Sequence, residues 1–432
     1  MAKSSGRLVC GMGSEVMKKI LLIAFHFPPL KGSSGVHRTI SMARYLPGHG
    51  WAPAVLTASP RAYEYTNPEL LSEVPEEVTI SRAFALDATR HLSFRGRYLQ
   101  WTALPDRWIS WWFGGIYTGI KKIKTYEPDL IWSTFPIATA HLIGLTLHKL
   151  TNVPWVADFR DSMTEDNYPK NPQVRALCRW IEKKTVKNAS MIIFTTSGAL
   201  EMYANRYPEI SHDKWAVIEN AVDEEFFCKV EQLTETEKTE NRQKLKFLHS
   251  GILYLNERNP TFFFNAVKNL KKVGKISSDN VEFIFRASMY EEYYCKMVKN
   301  LEIDDLIFFE PSISYADAIR EMLLADGLLI FQSRECNHQI PAKIYEYFRS
   351  GRPVLGLTDP QGNTAELLRQ EKGTLVSILD DQNNIETKLM EFINYCREHR
   401  TVPVREKNKR YSRCTRVAQY VKLLNTISQM NE

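Results

Sequence analysis

A lysine and a glutamate three residues apart are the strongest chemical signal in this sequence. Lys343 and Glu346 lie in a short predicted helix that Gly351 ends and that Pro353 separates from the next strand. Residues three apart share one helix face. An ammonium group there suits a diphosphate, and a carboxylate there can accept two ribose hydroxyls. Taken alone, however, the pair is better explained as a surface ion pair worth less than about 0.5 kcal/mol.

Two other segments could bind the phosphates of the same ligand. Ser250 and Gly251 directly follow a predicted strand, where their backbone N–H groups could face a ligand, and Arg258 could contact phosphate oxygens. An arginine near a helix start is poorly placed unless an anion joins it, although it could also be an ordinary surface cation. Asn363 and Thr364 open a further predicted helix, and the N-terminus of a helix attracts anions.

Charged residues also follow a strand in the first half of the chain. Asp158 is the last residue of the predicted strand 155–158, and Arg160 and Asp161 follow it. Because charges inside a sheet are costly, we expect all three at the rim of the sheet, where they could orient the hydroxyls of an acceptor. The alternative is an internal ion pair that fixes the loop.

A glycine-containing loop follows the first predicted strand, 19–25. Gly32 and Gly35 permit a tight turn and a close approach of a ligand to the backbone, and Arg38 lies in the helix that follows. The loop lacks the G-x-G-x-x-G pattern, and no acidic residue ends the second strand at Thr57, so a nicotinamide site is disfavoured. Alone, the loop is weak support for a binding site.

Short apolar runs alternate with amphipathic segments along the chain, which predicts two α/β halves with doubly wound sheets. A polar stretch at 223–244 separates the halves, and a final helix is predicted at 411–427. Ligands of open parallel sheets bind beyond the carboxyl ends of the strands, so we expect the site in the cleft between the halves. The predicted strands are 19–25, 54–57, 130–133, 155–158 and 191–195, then 245–249, 283–286, 306–309, 327–331 and 354–357.

Composition narrows the class of protein. The 432 residues carry a net charge of +6 and are 44% hydrophobic, as in a globular protein. The seven cysteines form no C-x-x-C pair, which argues against disulfides and structural zinc and favours the cytoplasm. No signal peptide is visible in the first residues, and no recognition module for nucleic acid accompanies the charge.

Basic and aromatic residues concentrate between Arg82 and Lys124. This segment could face an anionic membrane or substrate, or be a solvated surface. Its apolar part, 108–120, spans about 20 Å as a helix and is too short for the roughly 30 Å core of a bilayer. Four aromatic residues could instead seat it at a membrane interface, although burial is the commoner fate of such a helix. They are Trp108, Trp111, Trp112 and Tyr117.

Together these segments resemble the group-1 family of retaining GT-B glycosyltransferases, most specifically in the run 341–368. The resemblance implies an α/β fold of two Rossmann-like, doubly wound domains facing across a cleft. The implied division is a leader at 1–17, an acceptor-binding domain at 18–222, a linker or surface excursion at 223–244, a nucleotide-sugar-binding domain at 245–408 and a C-terminal helix at 409–432 that crosses back to the first domain.

The resemblance also implies roles for individual residues. Glu346 matches the carboxylate that binds the donor ribose, and Arg258 matches a cation that binds the diphosphate. The family often has a second glutamate eight residues before Glu346, where this chain has His338. The predicted catalytic residues are Arg258, Lys343 and Asp158; the predicted donor-binding residues are Ser250, Gly251, Arg258, His338, Lys343, Glu346, Asn363 and Thr364; those predicted for the acceptor or cleft are Gly32, Gly35, Arg38, Arg160 and Asp161.

The implied reaction is transfer of a sugar from a nucleotide diphosphate-sugar to a saccharide or lipid-linked acceptor with retained configuration, as in surface polysaccharide biosynthesis. No D-x-D motif is present, so we expect no metal and no cofactor beyond the nucleotide-sugar co-substrate. We expect a cytoplasmic protein, in peripheral contact with the inner membrane face, and no nucleic acid partner. The alternatives are a non-hydrolysing nucleotide-sugar epimerase and a catalytically silent partner that binds nucleotide-sugars.

Overall fold

The computed structural model describes residues 17–32, 35–234, 244–399 and 410–429. Almost all of the predicted leader, the second half of the predicted linker and the predicted boundary at 408/409 lie outside these ranges. The chain divides into two compact units. One comprises the described residues up to Ala157, residues Asp166–Ser190 and the described residues from Val421; the other comprises Asp158–Glu165 and the described residues between Met191 and Tyr420.

Seven strands form the first sheet, and their pairing is parallel. They are β1 (Lys18–Ile23), β2 (Trp51–Ala58), β3 (Thr79–Ala83), β4 (Leu130–Thr134), β5 (Trp155–Phe159), β6 (Met191–Phe194) and β7 (Trp215–Val217). Their spatial order is β3-β2-β1-β4-β5-β6-β7. The last four residues of β1 are buried because helices cover both faces of the sheet. The order reverses between β1 and β4, where open sheets form a crevice at their carboxyl ends.

The first half contains six α-helices among the described residues. They are α1 (Gly35–Tyr45), α2 (Ala88–His91), α3 (Ser110–Tyr126), α4 (Ala138–Thr151), α5 (Pro172–Asn188) and α6 (Ser197–Arg206). Helix α3 contains the apolar run that suggested a membrane-interface helix. It packs closely on α4, since a Cβ atom on Gly115 would lie 2.6 Å from Ile143 Cδ1.

The packing of α3 corrects part of the interface expectation. Trp111 is fully buried, and the indole N–H groups of Trp108 and Trp112 donate to Ala62 O and Thr146 Oγ1. Tyr117 alone of the four predicted aromatics is largely exposed, at 64%. In the described part of the chain, no helix is both long and apolar enough to cross a bilayer.

Six parallel strands form the second sheet, with the spatial order β10-β9-β8-β11-β12-β13. Its core is rich in phenylalanine, including Phe247, Phe283 and Phe285 from adjacent strands. The strands are β8 (Leu245–Ser250), β9 (Val281–Arg286), β10 (Ile307–Glu310), β11 (Gly327–Gln332), β12 (Val354–Thr358) and β13 (Thr374–Ser377). The helices are α7 (Glu224–Thr234), α8 (Thr261–Lys272), α9 (Glu291–Asn300), α10 (Tyr315–Leu324), α11 (Lys343–Ser350), α12 (Asn363–Arg369), α13 (Gln382–Glu398) and α14 (Arg413–Gln429).

Helix α7 lies in a segment that was predicted to be a polar linker, whereas helix α14 lies in a segment that was predicted to be helical. Residues 224–234, predicted as part of a polar excursion, form α7, because Phe227 and Val230 are buried on one side of it. Helix α14 covers the predicted final helix and contributes residues to both compact units. In the first unit, Trp51 Nε1 donates to Asn425 Oδ1 at 2.9 Å and Lys18 Nζ donates to Ser428 Oγ at 2.9 Å.

Candidate functional site

A cation lies directly over the backbone at the carboxyl end of β8. Gly251 follows this strand with φ +119°, and a Cβ atom on it would lie 2.5 Å from the Nζ atom of Lys343. A Cβ atom there would displace the Lys343 ammonium group, so glycine is the residue that allows its observed position. Lys343 is the first residue of α11, so the strand end and the helix start together position its side chain.

A buried histidine lies beneath the Lys343 ammonium group. His249 Nδ1 lies 2.9 Å from the carbonyl oxygen of Leu329, and because a carbonyl can only accept, Nδ1 carries the proton. The unprotonated Nε2 atom then faces Lys343 Nζ at 3.5 Å. Burial, and then the charge of Lys343, lower the pKa of His249 well below its ordinary value. The imidazole is therefore neutral and adds no second positive charge.

Arg258 adds a second cation beside Lys343. Its Nη1 atom donates to Ile252 O at 3.2 Å, and its guanidinium lies 5.2 Å from the ring centroid of Tyr254. Burial first, and then the charge of Arg258, lower the pKa of Lys343 well below its ordinary value, while Glu346 raises it. Within the described ranges neither Lys343 nor Arg258 has a carboxylate within ion-pair distance. An anion at this place would relieve the repulsion between the two cations.

The predicted ribose-binding carboxylate lies one helical turn further along α11. Glu346 Oε1 accepts a hydrogen bond from the Tyr315 hydroxyl at 2.8 Å. Burial raises the pKa of Glu346, and the Tyr315 hydrogen bond and the charge of Arg413 oppose that rise. The Tyr315 ring stacks on Phe226, with centroids 5.3 Å apart. No sequence motif pointed to Tyr315, because it lies on α10, away from Glu346 along the chain.

The backbone amides predicted to bind the ligand are already bonded. Ser250 N donates to the Tyr347 hydroxyl at 2.9 Å, and Gly251 N donates to Arg286 O at 2.8 Å. The expectation that Ser250 and Gly251 present free N–H groups is therefore wrong. Gly251 instead matters for the space that it leaves above the backbone.

The residues at the start of α12 also have structural partners. Asn363 N donates to Asn337 O at 2.9 Å, and Asn363 Oδ1 accepts from Gly198 N at 2.9 Å. Thr364 is buried, and its hydroxyl hydrogen-bonds to Gln332 Oε1 and, at 3.1 Å, to Gln339 O. Both side chains therefore hold this corner of the second unit together, a use that the sequence did not predict.

His338, which replaces the second family glutamate, is paired with a carboxylate. Its Nε2 atom lies 2.9 Å from Glu165 Oε1, and its backbone carbonyl accepts from Thr196 Oγ1 at 2.5 Å. Gln339 Nε2 also donates to Glu165 Oε1, at 3.4 Å. Glu165 was not among the predicted site residues, since it lies on a loop with no motif around it.

The segment 158–161 does not lie wholly at the rim of the sheet. Asp158 is fully buried inside β5, which runs on to Phe159, and its Oδ1 atom accepts from the Tyr420 hydroxyl at 2.9 Å. The expectation of a rim position is thus wrong for Asp158. Arg160 is half-buried, with its carbonyl accepting from Thr195 Oγ1 at 2.9 Å, and Asp161 is exposed.

The loop after β1 has the turn-forming backbone predicted from its glycines at one of them, Gly32. Gly32 has φ +89°, is exposed and has open space where a Cβ atom would lie. Gly35 is buried as the first residue of α1, and Arg38 is half-buried in the same helix. These residues belong to the first compact unit, whereas the cations around Gly251 belong to the second.

Comparisons with known proteins agree with this architecture. Residues 34–226 match the sequence model of Glycosyltransferase Family 4. No curated protein matches the sequence. The structure resembles sucrose-phosphate synthase from Thermosynechococcus elongatus, with a TM-score of 0.67 at 13% identity over 95% of this chain and 99% of the other. It also resembles the Anabaena protein HepE in complex with UDP and glucose, with a TM-score of 0.63 at 14% identity over 95% and 100% of the two chains.

The chain has the GT-B fold. A third similar structure is a putative UDP-N-acetylglucosamine 2-epimerase from Listeria monocytogenes, with a TM-score of 0.58 at 11% identity over 96% of this chain and 98% of the other. Identities this low establish the fold alone. The chemistry must therefore be argued from the residues of this chain.

Proposed function

We propose that this protein is a retaining glycosyltransferase that uses a nucleotide diphosphate-sugar. The observation that carries the proposal is the pair of cations, Arg258 and Lys343, beside Gly251 without a carboxylate partner in the described residues. Half-buried cations usually have a counter-ion, and a diphosphate supplies one with the correct charge and size. Glu346 lies one turn further along α11, and we propose that its carboxylate binds the ribose hydroxyls.

The proposed reaction needs no nucleophile from the protein. The bond between the sugar C1 and the diphosphate oxygen breaks as the acceptor hydroxyl forms its bond to C1 on the same face. A phosphate oxygen of the leaving diphosphate takes the hydroxyl proton. Arg258 and Lys343 stabilise the negative charge that develops on the diphosphate. In this scheme Asp158, buried in β5 and bonded to Tyr420, acts by positioning the segment that follows the strand.

Substrate binding can be tested before any acceptor is known. Calorimetric titration with UDP, GDP and ADP should give saturable binding for at least one nucleotide, and Arg258→Gln and Lys343→Gln should each weaken it. If none of the three binds, or if both variants bind like the unaltered protein, the proposal is wrong. With a bound donor identified, proton NMR of the anomeric centre in the product distinguishes retention from inversion.

The second candidate is a non-hydrolysing nucleotide-sugar epimerase. The structural similarity to the Listeria putative epimerase supports it, since that similarity extends over 96% of this chain. An epimerase would convert the sugar of the donor without an acceptor. Incubating donor alone and analysing the sugar by NMR therefore separates the two activities.

The proposed acceptor is a saccharide or a lipid-linked saccharide, as in polysaccharide biosynthesis at the inner face of the cytoplasmic membrane. The basic and aromatic segment 82–124 supports a membrane-bound acceptor. A catalytically silent binding partner stays an alternative, because His338 is paired with Glu165 where the family often has a glutamate. Binding of a nucleotide-sugar with neither transfer nor epimerisation would favour that alternative.

A further inference from the structure

An excursion that begins with α2 and ends before α3 exposes several large apolar side chains within a short segment. The excursion closes at its base, where Ala88 N donates to Arg107 O at 2.8 Å. We call residues 88–107 the basic loop. Long connections without extended secondary structure are uncommon in compact domains and are usually functional. Here the loop contributes no residue to the cation site around Gly251.

A tight hairpin gives the basic loop a fixed shape. Phe94 N donates to Arg97 O at 2.7 Å and Arg97 N donates to Phe94 O at 3.0 Å, which closes a two-residue turn. The turn residues Arg95 and Gly96 both have positive φ, at 50° and 77°, as a type I′ turn requires. Both arginines of the hairpin are exposed, and Arg95 lies over the Phe94 ring at 5.5 Å.

The apolar side chains of this loop are turned toward solvent. Phe94 is 77% exposed, Trp101 is 70% exposed and Leu99 is 62% exposed. Phe94, Tyr98 and Leu99 line an open concavity of about 660 Å³, together with Leu92 and the two hairpin arginines. A globular protein rarely leaves so many large apolar side chains together in water unless they contact something else.

The positive charge of this segment indicates an anionic partner. Residues 88–126 contain seven arginines and lysines and a single acidic residue, Asp106. The Asp106 carboxylate accepts from Trp108 N, Thr139 N and Thr139 Oγ1, so it is engaged inside the fold. In the described residues Arg107 pairs with Glu64 and Asp87, whereas the hairpin residues Arg95 and Arg97 form no ion pair. Exposed tryptophan and tyrosine beside the exposed Arg95 and Arg97 suit the boundary between lipid headgroups and acyl chains of an anionic bilayer.

We propose that the basic loop docks the protein on an anionic lipid bilayer, with Trp101, Leu99 and Phe94 inserted and Arg95 and Arg97 at the headgroups. A single weak signal gives only marginal membrane binding, and stable binding needs an apolar and a basic one together. The loop carries both. In this proposal the basic loop is the surface that brings the protein to its membrane-bound acceptor. Only this biological role rests on the proposed function; docking on the bilayer does not.

Vesicle co-sedimentation tests the docking without any donor or acceptor. The full chain should bind vesicles of mixed phosphatidylcholine and phosphatidylglycerol, and bind phosphatidylcholine alone much more weakly. Arg95→Gln with Arg97→Gln should weaken binding by about fivefold for each arginine removed. Trp101→Ser with Phe94→Ser should weaken it by about tenfold or more, from the lost apolar insertion.

Matched control variants outside the loop distinguish docking through the loop from nonspecific vesicle binding through surface charge or exposed aromatic side chains. Trp180→Ser on α5 removes an aromatic that is 47% exposed, and Lys149→Gln with Lys183→Gln removes two exposed cations from α4 and α5. Neither control should change vesicle binding by more than about twofold, since distant charges are largely screened in salt. A control that weakens binding as much as the loop variants would overturn the assignment to this loop.

A depth measurement distinguishes a bilayer from a protein partner. Brominated acyl chains should quench the tryptophan emission of the unaltered protein more than that of Trp101→Phe. Thermal melting and nucleotide titration, unchanged in every variant, show that the fold and the second unit are intact. If the folded protein ignores anionic vesicles at low salt, the docking proposal is wrong even where nucleotide binding succeeds, so the two proposals fail separately.

Discussion

The two ends of helix α11 carry cations in opposite circumstances. Lys343, at the start, has no carboxylate partner among the described residues, and its pKa is lowered by burial and by Arg258. Arg349, at the end, donates from Nε to both oxygens of Glu224 at 2.8 Å and from Nη2 to Glu231 at 2.9 Å, and these carboxylates raise its pKa. One helix thus holds a cation whose charge is left uncompensated and a cation whose charge is used within the fold.

This comparison teaches which cation is available to a ligand. Both residues look alike in sequence, as a basic residue within a short amphipathic helix. Only the partners supplied by tertiary structure separate them: His249, Gly251 and Arg258 around Lys343, and helix α7 beside Arg349. A cation that costs stability when the site is empty is a stronger candidate for binding than one that contributes to it.

Replacing the uncompensated cation should have the largest effect. Lys343→Gln should lower kcat/KM for the transferred sugar by about 10²–10³-fold, the loss typical of removing one group that stabilises developing charge. The melting temperature should stay unchanged or rise, because a buried ammonium group without an ion partner is removed. Steady-state kinetics and thermal melting of the same preparation measure both. A large fall in melting temperature would show that Lys343 is structural.

Replacing the compensated cation should give the converse result. Arg349→Gln should lower the free energy of unfolding by about 1–3 kcal/mol, below the full cost of breaking a buried pair because Glu224 is about a third exposed. Chemical denaturation measures this loss, and Arg349→Lys should recover part of it. Nucleotide affinity should be unchanged where the variant is folded. Weakened affinity in the folded variant would remove the distinction between the two ends of α11.

The central strands and the helix that carries Lys343 and Glu346 could be predicted from the sequence. Continuous apolar runs predicted the central strands, since strands covered on both faces have no polar side. The edge strands β3, β7 and β13 were not predicted, because they are short and only partly buried and so lack such runs. The spacing of Lys343 and Glu346 was also correctly assigned to one short helix, which α11 contains.

The partners of the site residues could not be predicted, because packing alone brings them together. The hydroxyl of Tyr315, on α10, donates a hydrogen bond to Glu346, and the hydroxyl of Tyr347, on α11, accepts one from the backbone N–H of Ser250. Asp158 looked like a rim residue because its hydrogen-bond partner, Tyr420, lies at the far end of the chain. A motif identifies which groups are present, but it does not show which donors and acceptors are already occupied.

Filling the space beneath Lys343 should give a smaller effect than removing the lysine. Gly251→Ala places a methyl group 2.5 Å from the Lys343 ammonium position, at a φ of +119° that costs a residue with a side chain about 1–3 kcal/mol. Nucleotide affinity should therefore fall about tenfold while the charge of the site is unchanged. Calorimetric titration measures it, and Gly274→Ala, at φ +72° with open space around it, is the control for backbone strain alone.

The smallest expected effect is a change in affinity with pH, and it tests the electrostatics of Lys343 directly. Burial and Arg258 lower the pKa of Lys343 in the empty site, whereas a bound diphosphate favours its protonated form and raises that pKa. Between these two pKa values, binding must take up a proton, and affinity must fall as pH rises, by at most about tenfold per pH unit.

Titration in buffers of different ionisation enthalpy measures this proton uptake. Above about pH 8 the nucleotide's terminal phosphate, with a pKa near 6, is already ionised and adds no proton of its own. Uptake should vanish in Lys343→Gln and persist in Arg349→Gln. If the unaltered protein binds nucleotide with no buffer dependence, then the protonation state of Lys343 does not change on binding, and the proposal that the diphosphate raises its pKa is wrong.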